Sequence, residues 1–514
     1  MLYIFVNNLK FSDMWQSKIF TLISGMIGGL IFAPTFFLPG LLTLSLLCYQ
    51  IRQAETVGQA AKIGFIYGFG HFLVNMYWIT FGVAVYIDQF WWLLPFSLFG
   101  FPLILAPFIS LACGLSWRRK NSSNYHLIFS ISWIFFEWLR SWIFTGLPWN
   151  LLGYSLSFST LTIQPSSVVG IYGLSFIVIY TFSSLSFLFS KEYSKFYISS
   201  ICSIVICSVA LIFSYIKLEN NPTVFSNITA RLVQPSIPQI AKWDEQSFWQ
   251  NLDTHIALST SPGKADLIIW SEAAVVAPFE FPPLKNKILA MLAVTDNILI
   301  TGGINESNTT NKELEIYSSM YATRKEGDIL FEYFKSHLVP FGEYVPFKNF
   351  FPIKKITAGF LDYSPGKAKI VDLPQLNLSI RPLICYESIF PQLALTPNTK
   401  ANLIVNVTND AWYGNSSGPY QHFQISRLRA VENGLPLLRV ANNGISAVID
   451  PVGRIVQKLS LNKVGVIDSL IPIRLNKPTL YSKFGNANVI VLILVVLIIQ
   501  SIGNYGKKKL FYGL

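Results

Sequence analysis

The sequence predicts two kinds of structure in one chain: a multi-pass α-helical membrane bundle of about eight spans, and an extracytoplasmic α/β domain. Hydrophobic residues make up 52% of the 514 residues and charged residues only 13%, about half the charged share of a typical soluble protein. The apolar excess lies in residues 1–216 and 487–503, whereas the stretch between them has the composition of a globular domain. This distribution excludes an ordinary soluble domain, a disordered chain and a small disulfide scaffold. We therefore expect a membrane domain over 1–216 with seven transmembrane helices, an α/β domain over 217–486, and a last transmembrane helix with a basic tail over 487–514.

The spans are predicted from apolar runs that are roughly long enough to cross a bilayer. These runs lie at 19–36, 37–51, 63–84, 91–115, 126–143, 166–189, 196–216 and 487–503. A tight connection at Pro39-Gly40 joins the first two. The first run is too long for a removed signal peptide and has no clear small-residue cleavage site, so we expect a retained anchor.

The orientation is predicted from the basic residues, which cluster in short loops between apolar runs. They are Arg52, Lys62, Arg118, Arg119, Lys120, Lys191, Lys195, Lys507, Lys508 and Lys509. Because short cytoplasmic loops are enriched in Lys and Arg, we expect the N-terminus and the C-terminal tail inside and domain 217–486 outside. The formal net charge of +12 is explained by these loops, which argues against nucleic-acid binding.

Within 217–486, short β-rich apolar runs alternate with helical or polar stretches, a pattern typical of layered α/β proteins. The predicted strands are Thr229–Val233, Leu267–Trp270, Ile298–Thr301, Met320–Arg324, Ser379–Ile384, Leu403–Val407 and Ala447–Asp450. The predicted helices are Asp244–Ser259, Pro283–Val294 and Tyr420–Asn433. Residues Asn305–Asn311 are expected to form a polar loop.

Three segments of this domain share one design, in which an apolar strand ends in a reactive side chain. They are Leu267–Glu272, Tyr333–Pro346 and Pro382–Glu387. Because layered α/β proteins place their sites at strand ends, we expect Glu272, Lys335 and Cys385 to meet.

A carboxylate, an ammonium and a thiol together support nucleophilic catalysis. A free thiol is only a few per cent thiolate near neutral pH, so Glu272 is assigned as the base that takes the thiol proton and later returns it to the leaving group. Lys335 is assigned to stabilise the tetrahedral oxyanion and Cys385 to act as nucleophile. The backbone N–H of Tyr386 is a candidate oxyanion donor.

At these residues the sequence resembles the nitrilase superfamily, and more closely its membrane-embedded branch, the bacterial apolipoprotein N-acyltransferases. The motifs that carry the resemblance are His337–Glu343, Cys385–Glu387, Asn409–Gly414, Glu137–Arg140 and Thr145–Trp149. The resemblance covers essentially the whole chain and implies an αββα sandwich for the outer domain.

The resemblance also implies the reaction. Cys385 would attack a phospholipid ester, lysophospholipid would leave, and the thioester would be attacked by the α-amino group of a lipoprotein's N-terminal diacylglyceryl-cysteine. This ping-pong scheme requires no cofactor, ATP or acyl-CoA, and no phosphate-binding Gly-rich loop is present. The expected partners are the phospholipid acyl donor, the diacylglyceryl apolipoprotein acceptor and membrane lipids. A monomer in the bacterial inner membrane, with its catalytic domain facing the periplasm, is expected.

Several further residues are candidates for supporting roles, each with a simpler alternative. The family suggests that Glu343 orients the site, against a solvated turn carboxylate. Glu387 is a supporting residue or one half of an ion pair with Lys335 or another cation. His337 is better explained as a hydrogen-bonded structural histidine than as a base. Cys385 is the only cysteine of the outer domain, and no Cys or His spacing predicts a metal site.

Aromatic and charged residues are candidates for substrate binding or gating. Trp243 and Trp412 could line or gate the acyl path, with ordinary packing as the alternative, and Trp149 belongs to the same group. Glu137 and Arg140 lie one helical turn apart, where charged residues within a membrane are usually paired and functional. They could contact a headgroup or lipoprotein, or form a structural ion pair.

Two other functions use the same sequence features. A membrane-tethered amidase of the nitrilase type would use water as the second nucleophile, but it has no evident need for eight spans. A non-enzymatic membrane scaffold would not need the intact triad. The acyltransferase is therefore the favoured function.

Overall fold

The computed structural model describes residues 17–122, 124–308, 314–346, 348, 355, 361–396 and 401–498. The chain divides into two compact units. The first comprises Met1–Thr80, Phe90–Lys217 and Phe484–Leu514, and the second comprises Phe81–Gln89 and Leu218–Lys483. The short segment Phe81–Gln89, which begins near the end of the third apolar run, therefore belongs to the second unit.

The first unit is helical. Its longer helices are Lys18–Gly29, Thr43–Gln53, Val57–Asn75, Phe101–Trp117, Tyr125–Arg140, Ser166–Ser184 and Tyr193–Glu219. Among the described residues, three helical stretches are long and apolar enough to cross a membrane: Phe96–Trp117, Ser166–Phe189 and Tyr193–Glu219. Shorter apolar helices occupy Lys18–Gly29 and Ala487–Ile498. The length and apolar composition of these helices indicate a membrane protein. The number of about eight spans stays a prediction.

Small residues allow the helices of this unit to pack closely. A side chain at Gly25 would collide with the backbone of Tyr67, and one at Gly64 would lie 2.6 Å from the Cys113 sulfur. Close backbone approach through small residues is the usual packing mode of membrane helices, because lipid offers no hydrophobic drive for helices to associate.

The second unit contains two six-stranded sheets. The first sheet has the order β12-β1-β2-β3-β4-β5 and the second β11-β10-β9-β8-β7-β6. The strands are β1 (Phe225–Gln234), β2 (Leu267–Ile269), β3 (Ile298–Asn308), β4 (Leu314–Thr323), β5 (Ile329–Phe334), β6 (Val371–Leu373), β7 (Leu378–Ile384), β8 (Leu403–Thr408), β9 (Leu437–Ala441), β10 (Ser446–Ile449), β11 (Ile455–Leu459) and β12 (Gly465–Pro472). Each sheet has a parallel centre, β1-β2-β3 and β7-β8-β9, with antiparallel strands outside it.

Alternating side chains divide the unit into four layers. One core lies between the two sheets and includes Leu232, Ile269 and Val405. The opposite faces are covered by helices: Phe248–Ser259 and Pro282–Thr295 on the first sheet, Gly418–Asn433 on the second. The predicted layered α/β architecture is confirmed, since the strands carry apolar residues on both faces and both faces are buried.

All seven predicted strands are present and three helices overlap their predictions, but several boundaries differ, two of them for a clear physical reason. The polar segment Asn305–Asn311 was expected to be a loop, yet β3 continues through Asn308. Its backbone forms an antiparallel ladder with β4, and this ladder needs no apolar side chains. The remaining residues, 309–311, lie outside the described residues. The helix predicted from Asp244 begins only at Phe248, because the Asp244 carboxylate accepts a hydrogen bond from the Ser247 hydroxyl (2.6 Å) and holds a turn instead.

Arg231 of β1 joins three segments of the second unit. Its guanidinium binds the Asp468 carboxylate of β12 through two hydrogen bonds of 2.7 and 2.6 Å. It also donates to the carbonyls of Ser259 and Ser261 beyond the helix Phe248–Ser259. Only 2% of Arg231 is exposed, so the guanidinium depends on these acceptors and not on solvent.

We predict that Arg231→Met destabilises the protein by about 3 kcal/mol, because it leaves one carboxylate and several buried carbonyls without donors. The measurement is the thermal unfolding midpoint in detergent, which should fall by several degrees. Lys287→Met removes an exposed ion pair with Asp253 and should leave the midpoint nearly unchanged. Equal midpoints for both variants would contradict this account.

Candidate functional site

The ends of β2, β5 and β7 bring three reactive side chains together. Glu272 follows β2, Lys335 follows β5 directly, and Cys385 follows β7 directly. The Lys335 ammonium lies 3.1 Å from Glu272 Oε1 and 2.7 Å from Glu343 Oε1. Only 1% of the Lys335 side chain is exposed. One buried ammonium is therefore bound between two carboxylates.

These charges fix one another's protonation states. Burial would lower the pKa of Lys335, but Glu272 and Glu343 outweigh it and hold that pKa well above its usual range, so the ammonium stays charged. Burial raises the pKa of Glu343; Lys335 opposes this rise and the Glu272 carboxylate adds to it. Glu343 also accepts a hydrogen bond from the Val339 N–H at 2.8 Å, so it is held in the site and does not lie in solvent.

Cys385 lies in a strained turn at the end of β7. Its φ angle is +49°, a conformation that non-glycine residues rarely adopt and that is common at nucleophile turns. Burial and the Glu272 charge raise the pKa of the thiol, and Lys335 lowers it only in part. The resting group is therefore a thiol, so attack on a carbonyl requires a base. Glu272 is a carboxylate near enough for its charge to act on the thiol.

Glu387 holds the ends of β5 and β7 together. Its carboxylate accepts hydrogen bonds from the Ile384 N–H (2.7 Å), from the N–H and hydroxyl of Ser336 (2.7 and 2.6 Å) and from the Tyr333 hydroxyl (2.8 Å). The His337 N–H adds a longer bond of 3.3 Å. These donors are all neutral, which favours a supporting role for Glu387 over the alternative of an ion pair. The acid joins the strand that precedes Lys335 to the strand that precedes Cys385.

A buried polar network that sequence analysis missed supports the backbone of Cys385. His422 Nε2 lies 3.2 Å from the Cys385 carbonyl and 3.0 Å from the Ser388 hydroxyl. The Asp410 carboxylate lies 2.8 Å from His422 Nδ1 and accepts a 2.8 Å hydrogen bond from Arg439. Burial would raise the pKa of Asp410, but Arg439 and His422 outweigh it and hold that pKa at about 2. Only Asp410 carried a sequence signal, since it lies within the Asn409–Gly414 motif.

Lys242 is a second cation of the site that the sequence did not single out, although its neighbour Trp243 was named. It ends the short helix Gln239–Lys242, and its ammonium donates to the Glu272 carbonyl at 2.6 Å. Only 5% of Lys242 is exposed. Burial lowers the pKa of Lys242 to about 8, against the opposing effects of Glu272 and Cys385.

The remaining candidates of the second unit lie around this centre. The His337 ring packs against Phe390, with centroids 4.0 Å apart, and near Tyr386 at 5.9 Å. Trp412 is half-buried and lies beside Tyr86 of the segment Phe81–Gln89, with centroids 6.2 Å apart. Trp243 is half-buried, and its buried indole nitrogen has no hydrogen-bond partner among the described residues.

Three candidates belong to the first unit and are engaged within it. Arg140 donates to the carbonyls of Leu147 and Trp149, both at 2.9 Å, and Glu137 accepts from the Leu152 N–H at 2.8 Å. Trp149 is fully buried, 4.6 Å from the Trp78 ring. These contacts fix the chain between Leu147 and Leu152, and the structure does not bring these three residues together with the triad inside one unit. Across the described ranges, no group of three or more His, Cys, Asp or Glu side chains is arranged to hold a metal ion.

We predict that Glu387→Gln destabilises the second unit by about 2 kcal/mol. Both carboxylate oxygens accept hydrogen bonds, and the amide would replace one of them with an NH2 group that faces other donors. The thermal unfolding midpoint in detergent should fall, and alkylation of Cys385 by iodoacetamide should change in rate as the turn loosens. Glu326→Gln, an exposed surface change, is the matched control. An unchanged midpoint in Glu387→Gln would show that this carboxylate does not hold the two strands.

Comparisons with known proteins agree with both units. The family described as apolipoprotein N-acyltransferase N-terminal domain matches residues 24–184, and the family described as carbon-nitrogen hydrolase matches residues 229–476. The latter matches the second unit, which thus has a nitrilase-like α/β fold. A nitrilase-superfamily amidase of Nesterenkonia AN1 covers 48% of this chain and 92% of its own, at 18% identity and a TM-score of 0.35, a likeness that adds nothing to the fold already described.

Relatives match nearly the full length. The apolipoprotein N-acyltransferase of Rickettsia prowazekii is 54% identical over 487 residues, covering 95% of this chain and 98% of that protein. The protein of the same name from Rhodopseudomonas palustris is 34% identical and covers 94% and 95%. With identity this high over nearly its whole length, the chain belongs to the apolipoprotein N-acyltransferase family.

Proposed function

We propose that this protein transfers a fatty acyl chain from a phospholipid to the α-amino group of the N-terminal S-diacylglyceryl-cysteine of apolipoproteins. The observation that carries the proposal is the buried Glu272–Lys335–Cys385 arrangement, in one chain with helices long enough to cross a membrane. A thiol with a nearby carboxylate suits acyl transfer, and membrane helices give access to substrates that are themselves lipids. Membership of the acyltransferase family supports the same reaction.

In the first half-reaction, Cys385 Sγ attacks the ester carbonyl of the phospholipid while Glu272 accepts the thiol proton. Negative charge develops on the carbonyl oxygen, where the Lys335 ammonium and the Tyr386 N–H stabilise it. The C–O bond then breaks, and the leaving lysophospholipid oxygen takes the proton from Glu272. The product is a thioester on Cys385.

In the second half-reaction, the α-amino group of the lipoprotein attacks the thioester. Glu272 accepts a proton from the attacking amine, the C–S bond breaks, and the same proton returns to the Cys385 sulfur. An amide forms and the enzyme is restored. Glu343 and Glu387 act as supporting residues, the first by orienting Lys335 and the second by fixing the turn that carries Cys385.

The proposed partners are the two substrates, a phospholipid donor and a diacylglyceryl apolipoprotein acceptor, together with membrane lipids. We assign Trp243 and Trp412 to lining or gating the acyl path, and Glu137, Arg140 and Trp149 to substrate binding. The proposed domains are a membrane domain over residues 1–216, a catalytic domain over residues 217–486, and the last helix with its tail over residues 487–514. The protein is proposed to act as a monomer in the bacterial inner membrane, with about eight spans and the catalytic domain in the periplasm.

Incubation of the purified protein with phospholipid and no acceptor should place an acyl group on Cys385, because the thioester has no amine to consume it. Intact and peptide mass spectra measure the adduct, which should be removed by neutral hydroxylamine. Cys385→Ala should show no adduct. Glu272→Gln should form the adduct at least about 10²-fold more slowly, since the base is lost.

The same samples separate the competing reactions. Adding a diacylglyceryl-cysteine peptide should discharge the thioester into an N-acyl peptide without net release of fatty acid. Rapid release of free fatty acid would instead indicate a hydrolase. A protein that leaves Cys385 unmodified and releases no fatty acid would overturn the acyltransferase proposal.

The proposed orientation predicts which surface sites an impermeant reagent can reach. In cells whose outer membrane has been permeabilised, a membrane-impermeant maleimide should label Lys463→Cys, an exposed position of the second unit. Arg119→Cys, exposed in a basic loop, should react only after the inner membrane is broken, because that loop faces the cytoplasm. The reverse labelling pattern would invert the topology.

A further inference from the structure

Lys242 is held in place by contacts on both sides of its short helix. The Asn251 amide donates to the Ala241 carbonyl at 2.8 Å, and the Asn409 amide donates to the Gln239 side chain at 2.7 Å. Asn409 precedes the Asp410 network behind Cys385. The Lys242 ammonium is therefore presented to the Glu272 carbonyl by a fixed backbone, not by a free surface side chain.

The backbone of Glu272 is confined from its other side as well. A Cβ atom at Gly302 of β3 would lie 2.7 Å from the Glu272 Cα and from the Ala273 nitrogen, so only glycine allows this approach. Ala273 has a φ angle of +45°. The turn that carries Glu272 is thus strained, pressed against β3, and bound by one strong donor, Lys242.

Without Lys242, the negative charges among these buried groups outnumber the positive ones. Two carboxylates, Glu272 and Glu343, share the single ammonium of Lys335, so this buried group carries a net charge of about −1 when both acids are ionised. Such a charge opposes the negative charge that develops on sulfur and on the carbonyl oxygen. The charge of Lys242 interacts with both Glu272 and Cys385, so Lys242 is a further cation that offsets the second carboxylate from the Glu272 side.

We propose that Lys242 is a positioning residue of the acyl-transfer reaction: its ammonium fixes the Glu272 backbone and offsets the second carboxylate, so that the Glu272 side chain is held where it can accept the Cys385 proton. This inference rests on the proposed function. Lys242 itself neither gains nor loses a proton during the reaction, since it donates only to a carbonyl.

The groups that face Lys242 define how the rate should depend on pH. They are Glu272 and Cys385, Lys335 beyond Glu272, and His255 from the neighbouring helix. Burial lowers the pKa of His255 to about 4, so it is neutral under assay conditions, and the pKa of Lys335 is well above its usual range. Because the pKa of Lys242 is about 8, its charge is lost as pH rises through that value, and the acylation rate of the wild type should fall there.

The test measures the rate at which phospholipid acylates Cys385 without acceptor, on both sides of that pH. Lys242→Met keeps an unbranched side chain that is one atom shorter, and removes the charge and the donor. It should slow acylation about 10²-fold near neutral pH, a cost typical of a misplaced catalytic group, with little change in the KM for phospholipid. The acid limb of its pH–rate profile should move to higher pH, because a cation that stabilised the negative charge of the two carboxylates is gone.

Lys242→Arg separates charge from simple packing. A guanidinium stays charged at every assay pH, so this variant should keep the acid limb of the wild type and lose the decline near the Lys242 pKa. Lys287→Met, which changes an exposed side chain, is the matched lysine control. Thermal midpoints of all variants report folding.

The outcomes are distinct. A folded Lys242→Met protein with wild-type rates and pH profile overturns the inference. If Lys242→Met does not fold, a wild-type rate that stays flat through the Lys242 pKa, or an Arg variant with an unchanged profile, overturns it equally. If the wild type forms no acyl adduct, the proposed function fails instead. Iodoacetamide alkylation of Cys385, compared between wild type and Lys242→Met across pH, then still decides whether Lys242 acts on the thiol: equal profiles overturn the inference.

Discussion

The burial of the Lys335 ammonium between two carboxylates is the interaction on which the rest of the site depends. A lone charge in this interior would be strongly disfavoured, so Lys335 requires Glu272 and Glu343, and they require it. The contact joins the end of β2, the end of β5 and the loop that carries Glu343. It therefore sets both the electrostatics of the thiol and the relative positions of these three segments.

Around this charge cluster, neutral hydrogen-bond donors and close packing fix the positions of the reactive side chains. Glu387 gathers donors from β5 and β7, Gly302 lets β3 approach the Glu272 turn, and His422 holds the Cys385 carbonyl. Each limits how far a reactive atom can move, which matters because a displacement of about 1 Å can cost about 10²-fold in rate.

The two units follow different physical rules. In the first, small residues bring helix backbones together where lipid provides no hydrophobic drive, and buried polar side chains such as Arg140 bond to backbone carbonyls. In the second, apolar side chains between and outside two sheets form three cores. Both kinds of packing therefore occur in one chain, each within its own unit.

Periodicity and strand-end chemistry in the sequence were sufficient to predict the layered α/β fold, seven of the twelve strands among the described residues, and the placement of Glu272, Lys335 and Cys385 after strand ends, because these patterns are local. Contacts between distant segments were not predictable in this way. The neutral partners of Glu387, the Asp410–His422–Arg439 network and the bond from Lys242 to Glu272 join residues that lie far apart in the chain or on different strands. The polar end of β3 was missed for the same reason, since its strand is fixed by pairing with β4. The sequence by itself determined which side chains could react; only the tertiary structure decided which charges offset one another, because charge balance depends on distances in space.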